Sequence, residues 1–180
     1  MKYDLQKKYT EEVVPEMIKK FGYKNRMAVP KIQKVVVNSG IGSVKDKEQI
    51  GRVEKQIALI IGQKPLKALA KKSIASFKTR KGAHIGYSAT LRKKRMYDFL
   101  NKMIFVALPR QRDFRGLDWK SVDAAGNLTI GFKDYLVFPE MAGEDLKNTF
   151  GFSVTVVTSA KNKEEMKNFL TMMGFPFKKE

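Results

Sequence analysis

Between Glu54 and Asp98 the chain runs for 43 residues without an Asp or Glu while carrying 12 Lys or Arg. No fold can pair those cations within the segment, and an unpaired buried charge is very costly, so all of them belong at a surface. The same segment is nevertheless partly apolar. In "IGYSATLRK" strict alternation sends Ile85, Tyr87, Ala89 and Leu91 to one face of a strand, and Gly86, Ser88, Thr90 and Arg92 to the other. The chain must therefore anchor this strand by one face and leave its small, polar, cationic face for something else.

Helical and strand periods alternate through the rest of the sequence. Leu5, Tyr9, Val13, Met17 and Phe21 recur at near-helical spacing up to Gly22, and Pro15 is expected to kink that helix or restart it. "KIQKVVVN" reads as a β-branched strand. Asp46, with Gln49 at capping-box spacing, opens a helix with a stripe of Ile50, Val53, Ile57 and Ile60/Ile61, ended by Gly62. "PLKALA" is a short strand. Between it and "IGYSATLRK" lie about fourteen residues, "KKSIASFKTRKGAH", with little period of either kind. A loop of that length in a compact domain is functional or disordered, and this one is expected to be disordered in the free protein.

"RMYDFLNKMIFVAL" carries Met96, Phe99, Leu100, Met103, Ile104 and Ala107 at helical spacing and should be the buried spine. A loop-like stretch, "PRQRDFRGLDWKSVDAAGN", precedes two alternating strands, "NLTIGF" and "FSVTVVTS". Asn162 and Glu165 open a last helix with Met166, Phe169, Leu170 and Met173 on its stripe and Gly174 as its stop. No linker or repeat interrupts the chain. The pattern predicts one α+β domain over residues 1–180, a mainly antiparallel sheet with helices packed on one face and the other face open.

Charge narrows the function. The net charge is +18, with +13 in residues 1–90 and +5 in residues 91–180. Such self-repulsion calls for a polyanionic partner on the N-terminal half, most simply a nucleic acid. Cysteine is absent, which excludes disulfides and thiolate chemistry. Asp4, Glu11 and Glu12 argue against a signal peptide, and the longest apolar run, "MIFVAL", is six residues. A soluble, cytosolic protein without membrane partners is expected.

Catalysis is poorly supported. His84 is the only histidine and has no acid near it in sequence, so an exposed loop residue is expected there rather than a general base. Asp113, Asp118 and Asp123 lack His or Cys companions, and no metal or cofactor is expected. "VVVNSGIGSVKDKEQI" holds half of a dinucleotide fingerprint at Gly40 and Gly42, but Lys45 stands where the third glycine belongs. A nucleotide-binding enzyme is therefore the runner-up reading. RNA suits the basic segment better, since small polar groups beside Lys and Arg match phosphates and 2′-hydroxyls. In "LPRQRDFRGL", Arg110, Arg112 and Arg115 either brace a turn through Asp113, the slightly favoured reading, or form a second RNA contact.

At these residues the chain resembles a known family. "VPKIQKVVVNSGIG", "GQKP", "AKKSIASFKTRKG", "IGYSATLR", "RMYDFL", "LPRQRDFRGL", "GNLTIGF", "FPE" and "GFPFKK" follow one another in the order found in the bacterial-type ribosomal protein L five family, the large-subunit proteins that bind 5S rRNA. The resemblance implies helices wrapped on one side of a sheet whose open, concave side binds 5S rRNA in the central protuberance. Carried over by motif, the 5S-contacting positions are Lys34, Asn38, Gln63 and Thr90, and Arg92 at the end of the same strand joins that set. The family's long basic loop, here about Ser73 to Ile85, reaches the P-site tRNA, which points to Lys78, Arg80 and Lys81. The resemblance further implies contacts with other large-subunit RNA and proteins, an intersubunit bridge to a small-subunit head protein from the less basic C-terminal half, and a ribosome-bound, cytoplasmic, non-enzymatic role.

Overall fold

The computed structural model describes residues 4–42, 46–141, 143 and 149–178. Among these residues four helices and a five-stranded antiparallel sheet make an α+β fold. The strands are β1 (Ile32–Gly40), β2 (Leu66–Leu69), β3 (His84–Leu91), β4 (Asn127–Phe132) and β5 (Phe152–Thr158), in spatial order β2-β3-β1-β5-β4. Helix α1 runs from Leu5–Lys8 through a π turn, Tyr9–Val13, into Val14–Phe21. Helix α2 is Lys47–Ile61. Helix α3 runs from Lys93–Lys102 through a second π turn, Met103–Ala107, into Leu108–Arg110, and α4 is Lys163–Met173.

The two π turns have one cause. Proline lacks an N–H and crowds the carbonyl four residues earlier. Pro15 and Pro109 each lie just after a π turn, where the wider turn absorbs that conflict without breaking the helix. So Pro15 neither stops nor restarts α1, and α3 extends past Pro109 to Arg110, where a loop was expected. Gly22, Gly62 and Gly174 stop their helices in the left-handed conformation, and Asp46 caps α2 by accepting the Glu48 N–H at 3.0 Å.

Two compact units emerge. The first comprises Met1–Val35, Leu91–Ile130 and Thr155–Glu180. Its core is Leu5, Met17, Leu100, Met103, Leu108, Met166, Phe169 and Leu170, each at most 1% exposed. Asn101 fastens the start of α1 by accepting the Leu5 N–H at 3.2 Å, and Tyr9 meets Phe169 edge-on. The second unit comprises Val36–Thr90 and Gly131–Val154. Here Val53, Ile57, Ile60 and Ile61 of α2 are buried, and Phe132, Tyr135, Phe138, Phe150 and Phe152 form an aromatic cluster with centroids 4.6–6.4 Å apart. Tyr135 and Phe138 enter it from the 3-10 turn Tyr135–Val137 and its cap, a segment without period in the sequence.

Each strand separates its two faces. Val35, Val37 and Ser39 of β1, and Tyr87, Ala89 and Leu91 of β3, are buried. Lys34, Val36, Ser88 and Thr90 on the alternate positions are half-buried, and Asn38 is exposed. Ser153, Thr155 and Val157 of β5 follow the same rule, and Thr129 of β4 shares a 3.1 Å hydroxyl contact with Thr155. At the other edge of the sheet, β2 leaves Leu66 and Leu69 76% and 56% exposed.

Candidate nucleic-acid interface

The outer positions of β1 and β3 carry most of the predicted contact set. Lys34 and Asn38 share one face of β1, four residues apart, as period-two geometry requires. Thr90 occupies an outer position of the neighbouring β3, and Arg92 lies one step past that strand, exposed, with extended backbone as the N-cap of α3. Gln63 sits outside the strands. Its Nε2 donates to the Thr90 carbonyl at 3.5 Å, a long bond that ties the "GQKP" turn to the end of β3. The structure thus brings Gln63 and Thr90 together. Asn38, Gln63 and Thr90 belong to the second unit, and Lys34 and Arg92 to the first.

Glycine is required at position 86 of β3, beside β1. A Cβ on Gly86 would stand 2.7 Å from the Ser39 carbonyl oxygen, well inside contact distance.

On the buried side of the same strand, Tyr87 donates toward the Ile50 carbonyl and Glu54 Oε2, both at 3.2 Å. Lys64 and Lys67 reach the same carboxylate at 3.8 and 3.6 Å. Burial, reinforced by the Glu54 carboxylate, pushes the Tyr87 phenol up to about 12. Glu54 is therefore the acid at the border of the acid-free segment that holds its first two cations after "GQ". Nothing in the local sequence period marks this role, because the partners are brought together by the β2–β3 register, which sets Lys67 opposite Tyr87.

The basic loop is a small hairpin. Ala70 donates to the Ala83 carbonyl and accepts from Gly82, at 2.8 and 2.9 Å, which prolongs the β2–β3 ladder. Ser73 Oγ accepts the Lys81 N–H at 2.9 Å, and Ile74 and Thr79 exchange both backbone bonds at 2.9 and 3.1 Å. At the tip Lys78 adopts a left-handed φ of 51°. Lys78, Arg80 and Lys81 are all exposed, as are Ile74 at 46% and Phe77 at 76%. This set is far from the Thr90 end. The hairpin joins β3 at His84, six residues before Thr90, which is roughly 20 Å along a strand.

Other expected features are placed differently. His84 is a half-buried strand residue, its ring edge-on to Tyr87 at 4.6 Å and its Nε2 2.9 Å from the Gly86 carbonyl, so the exposed-loop reading is wrong. The Ile41 amide, in the half-fingerprint, donates to the Ile85 carbonyl at 3.0 Å and is not available to a phosphate. The continuation of that turn, Ser43 to Lys45, lies outside the described residues.

Arg110, Arg112 and Arg115 form no ion pair with Asp113 or with any other acid among the described residues, which overturns the bracing reading. Their turn is braced by backbone instead. Leu117 donates to the Pro176 carbonyl at 2.7 Å and accepts from Lys178 at 3.0 Å, and Trp119 stacks on Phe177 at 3.5 Å. Asp123 caps the next turn by accepting both the backbone and side-chain N–H groups of Asn127, at 2.7 and 2.8 Å, which holds its carboxyl below the usual range.

Among the described residues no cluster of three metal-ligating side chains occurs, and no helix is long and apolar enough to cross a membrane.

Comparison with known proteins finds relatives over nearly the whole chain. Residues 25–80 match the family model of ribosomal protein L5, and residues 84–177 match that of the ribosomal L5P family C-terminus. Among curated relatives, the large ribosomal subunit protein uL5 of Dictyoglomus thermophilum is 50% identical over 97% of this chain and 98% of its own. The uL5 proteins of Thermus aquaticus and Streptococcus sanguinis are 49% and 47% identical, each over 97% of this chain and 97% and 98% of their own. Two family models that meet at the base of β3, and relatives this similar from end to end, mean that the chain belongs to the bacterial-type ribosomal protein L5 family.

Proposed function

We propose that the outer face of the sheet binds 5S rRNA and that the basic hairpin reaches a second RNA, the P-site tRNA. As a member of its family the protein is a structural component of the large ribosomal subunit, bound to cytoplasmic ribosomes, and not an enzyme. The observation that carries the 5S reading is the chemistry of the outer face. Lys34 is its cation, Asn38, Ser88 and Thr90 offer hydrogen bonds, and Arg92 follows at its end. Small hydroxyl and amide groups let an RNA backbone approach closely, while Lys34 and Arg92 supply phosphate charge. Gln63 acts in part by positioning, since its amide is tied to the Thr90 carbonyl.

The hairpin supports the tRNA reading by presenting Lys78, Arg80 and Lys81 together at an exposed tip. Residues 1–180 then act as one RNA-binding domain that also meets other large-subunit RNA and proteins. The less basic C-terminal half contributes the bridge to a small-subunit head protein.

A titration against 5S rRNA, with duplex DNA and transfer RNA as competitors at several salt concentrations, tests this reading. If about six to ten phosphates are neutralised, affinity falls by about three to five decades between 50 and 200 mM salt. The intact protein should prefer 5S rRNA by decades, and a Lys34/Asn38/Thr90→Ala variant should lose that preference. Equal binding to all three nucleic acids, untouched by the variant, would sink the sheet-face reading.

A further inference from the structure

We infer that the turn carrying Arg110, Arg112 and Arg115 is a third RNA-docking surface, which grips a sugar-phosphate backbone with guanidinium forks independently of the sheet face and the hairpin. Composition gives the first reason. The chain holds 28 Lys but only 8 Arg, and three of those eight fall within six residues; none follows Arg115. A solvated face needs only charge, which lysine supplies; the other five arginines are spread over residues 26–95, whereas this turn gathers three. Arginine differs in its planar, bidentate match to phosphate oxygens and its weaker hydration.

Pairing gives the second reason. All three side chains are exposed, and among the described residues none has a carboxylate partner, although Asp113 stands between them and Asp118 follows. Asp118 is occupied in capping the next turn, where it accepts the Lys120 N–H at 3.0 Å.

Rigidity gives the third. Gly116 takes a φ of +101°, and a Cβ there would stand 2.8 Å from the Lys178 nitrogen, so the backbone is clamped against the C-terminal segment. The Leu117–Phe177 bridge and the Trp119–Phe177 stack fasten it further, and the Gln111 and Phe114 amides close the near side at 3.1 and 3.3 Å. Long flexible cations on a fixed backbone lose less entropy on binding than the same cations on a mobile loop. A turn with no role beyond solubility needs no such clamp.

The inference rests on the RNA-binding reading above, and one experiment separates the two. Arg110/Arg112/Arg115→Gln and Arg110/Arg112/Arg115→Lys variants are titrated with 5S rRNA alone. In a second arm, full-length large-subunit rRNA is added to the preformed protein–5S rRNA complex. Thermal melting of each variant, expected unchanged for exposed side chains, controls for folding. The Gln variant should weaken one arm at least tenfold and lower its salt slope by about two to three, since each phosphate contact contributes about 0.9 for duplexes and 0.7 for single strands. The arm affected identifies the RNA. The Lys variant should keep the slope and still lose affinity several-fold, because the fork is gone. Wild-type slope and affinity for the Gln variant in both arms overturns the inference while leaving 5S binding intact. A Lys variant equal to wild type overturns the guanidinium assignment. Failure of the unmodified protein to prefer 5S rRNA over duplex DNA defeats the earlier reading instead.

Discussion

Tyr87 is only 2% exposed, yet its hydroxyl serves both the Ile50 carbonyl and Glu54, and so joins β3 to α2. Because its phenol is raised above the unfolded value of about 10, it favours the folded state fully below pH 10, and that contribution is lost as pH climbs toward about 12. Tyr87→Phe should lower stability by about 1 kcal/mol near neutral pH and flatten the alkaline loss between pH 10 and 12. Melting curves across that range read both effects. Gly86 is constrained from the opposite side of the strand. Gly86→Ala places a methyl 2.7 Å from the Ser39 oxygen, a backbone atom that cannot swing away. It should cost about 1–3 kcal/mol as an overpacking substitution, visible in the denaturant midpoint. Neither residue announces its role locally, since Gly86 reads as any small strand residue until its distance to Ser39 is known.

Elements were legible where period and punctuation agree. The helix over Lys47–Ile61 ends at the glycine the sequence marks, and β3 alternates as written from Tyr87 onward, whereas Ile85 is 38% exposed and Gly86 is buried. The two π turns were not legible, because periodicity registers a proline as a break and cannot foresee a widened turn. The basic hairpin was hidden for another reason. Its pairing consists of a single residue pair and a Ser73 contact, too short for any period to develop. A hairpin tip this small is marginal in water. Hydrogen exchange of the free protein should therefore be fast at Ile74, Lys78 and Thr79 and slower at Ala70 and Gly82, where the β2–β3 ladder continues. Slow amides at Ile74, Lys78 and Thr79 would contradict the expectation of a tip that is loose without RNA. Equal rates on both sides of Ser73 would deny the division between ladder and tip.

The whole molecule responds to salt in two directions. With 36 Lys and Arg against 18 Asp and Glu, the folded chain repels itself, and added salt screens that repulsion. The melting temperature of the free protein should rise between 50 and 300 mM salt while its affinity for 5S rRNA falls. A melting temperature that drops over that range would mean that attractive pairs, not repulsion, dominate its electrostatics. At this scale the sequence spoke clearly about the partner, because a 43-residue stretch without acid has few other uses. It was nearly silent about geometry within the site. That Gln63 leans on Thr90, and that the arginines of the 110–115 turn find no acid among the described residues, depends on neighbours distant in the chain.

The edge formed by β2 carries Leu66 and Leu69 into solvent, and Phe77 stands bare at the hairpin tip. Exposed apolar groups on an edge strand are the ordinary starting point for one chain to add itself to another. Here they are interleaved with Lys64, Lys67, Lys71, Lys72, Lys78, Arg80 and Lys81, which act as gatekeepers against that association. The cations proposed to meet RNA would thus also keep the protein in solution before it finds RNA. A short polyanion that neutralises them without covering the edge should make the free protein aggregate, where a full-length partner keeps it dispersed.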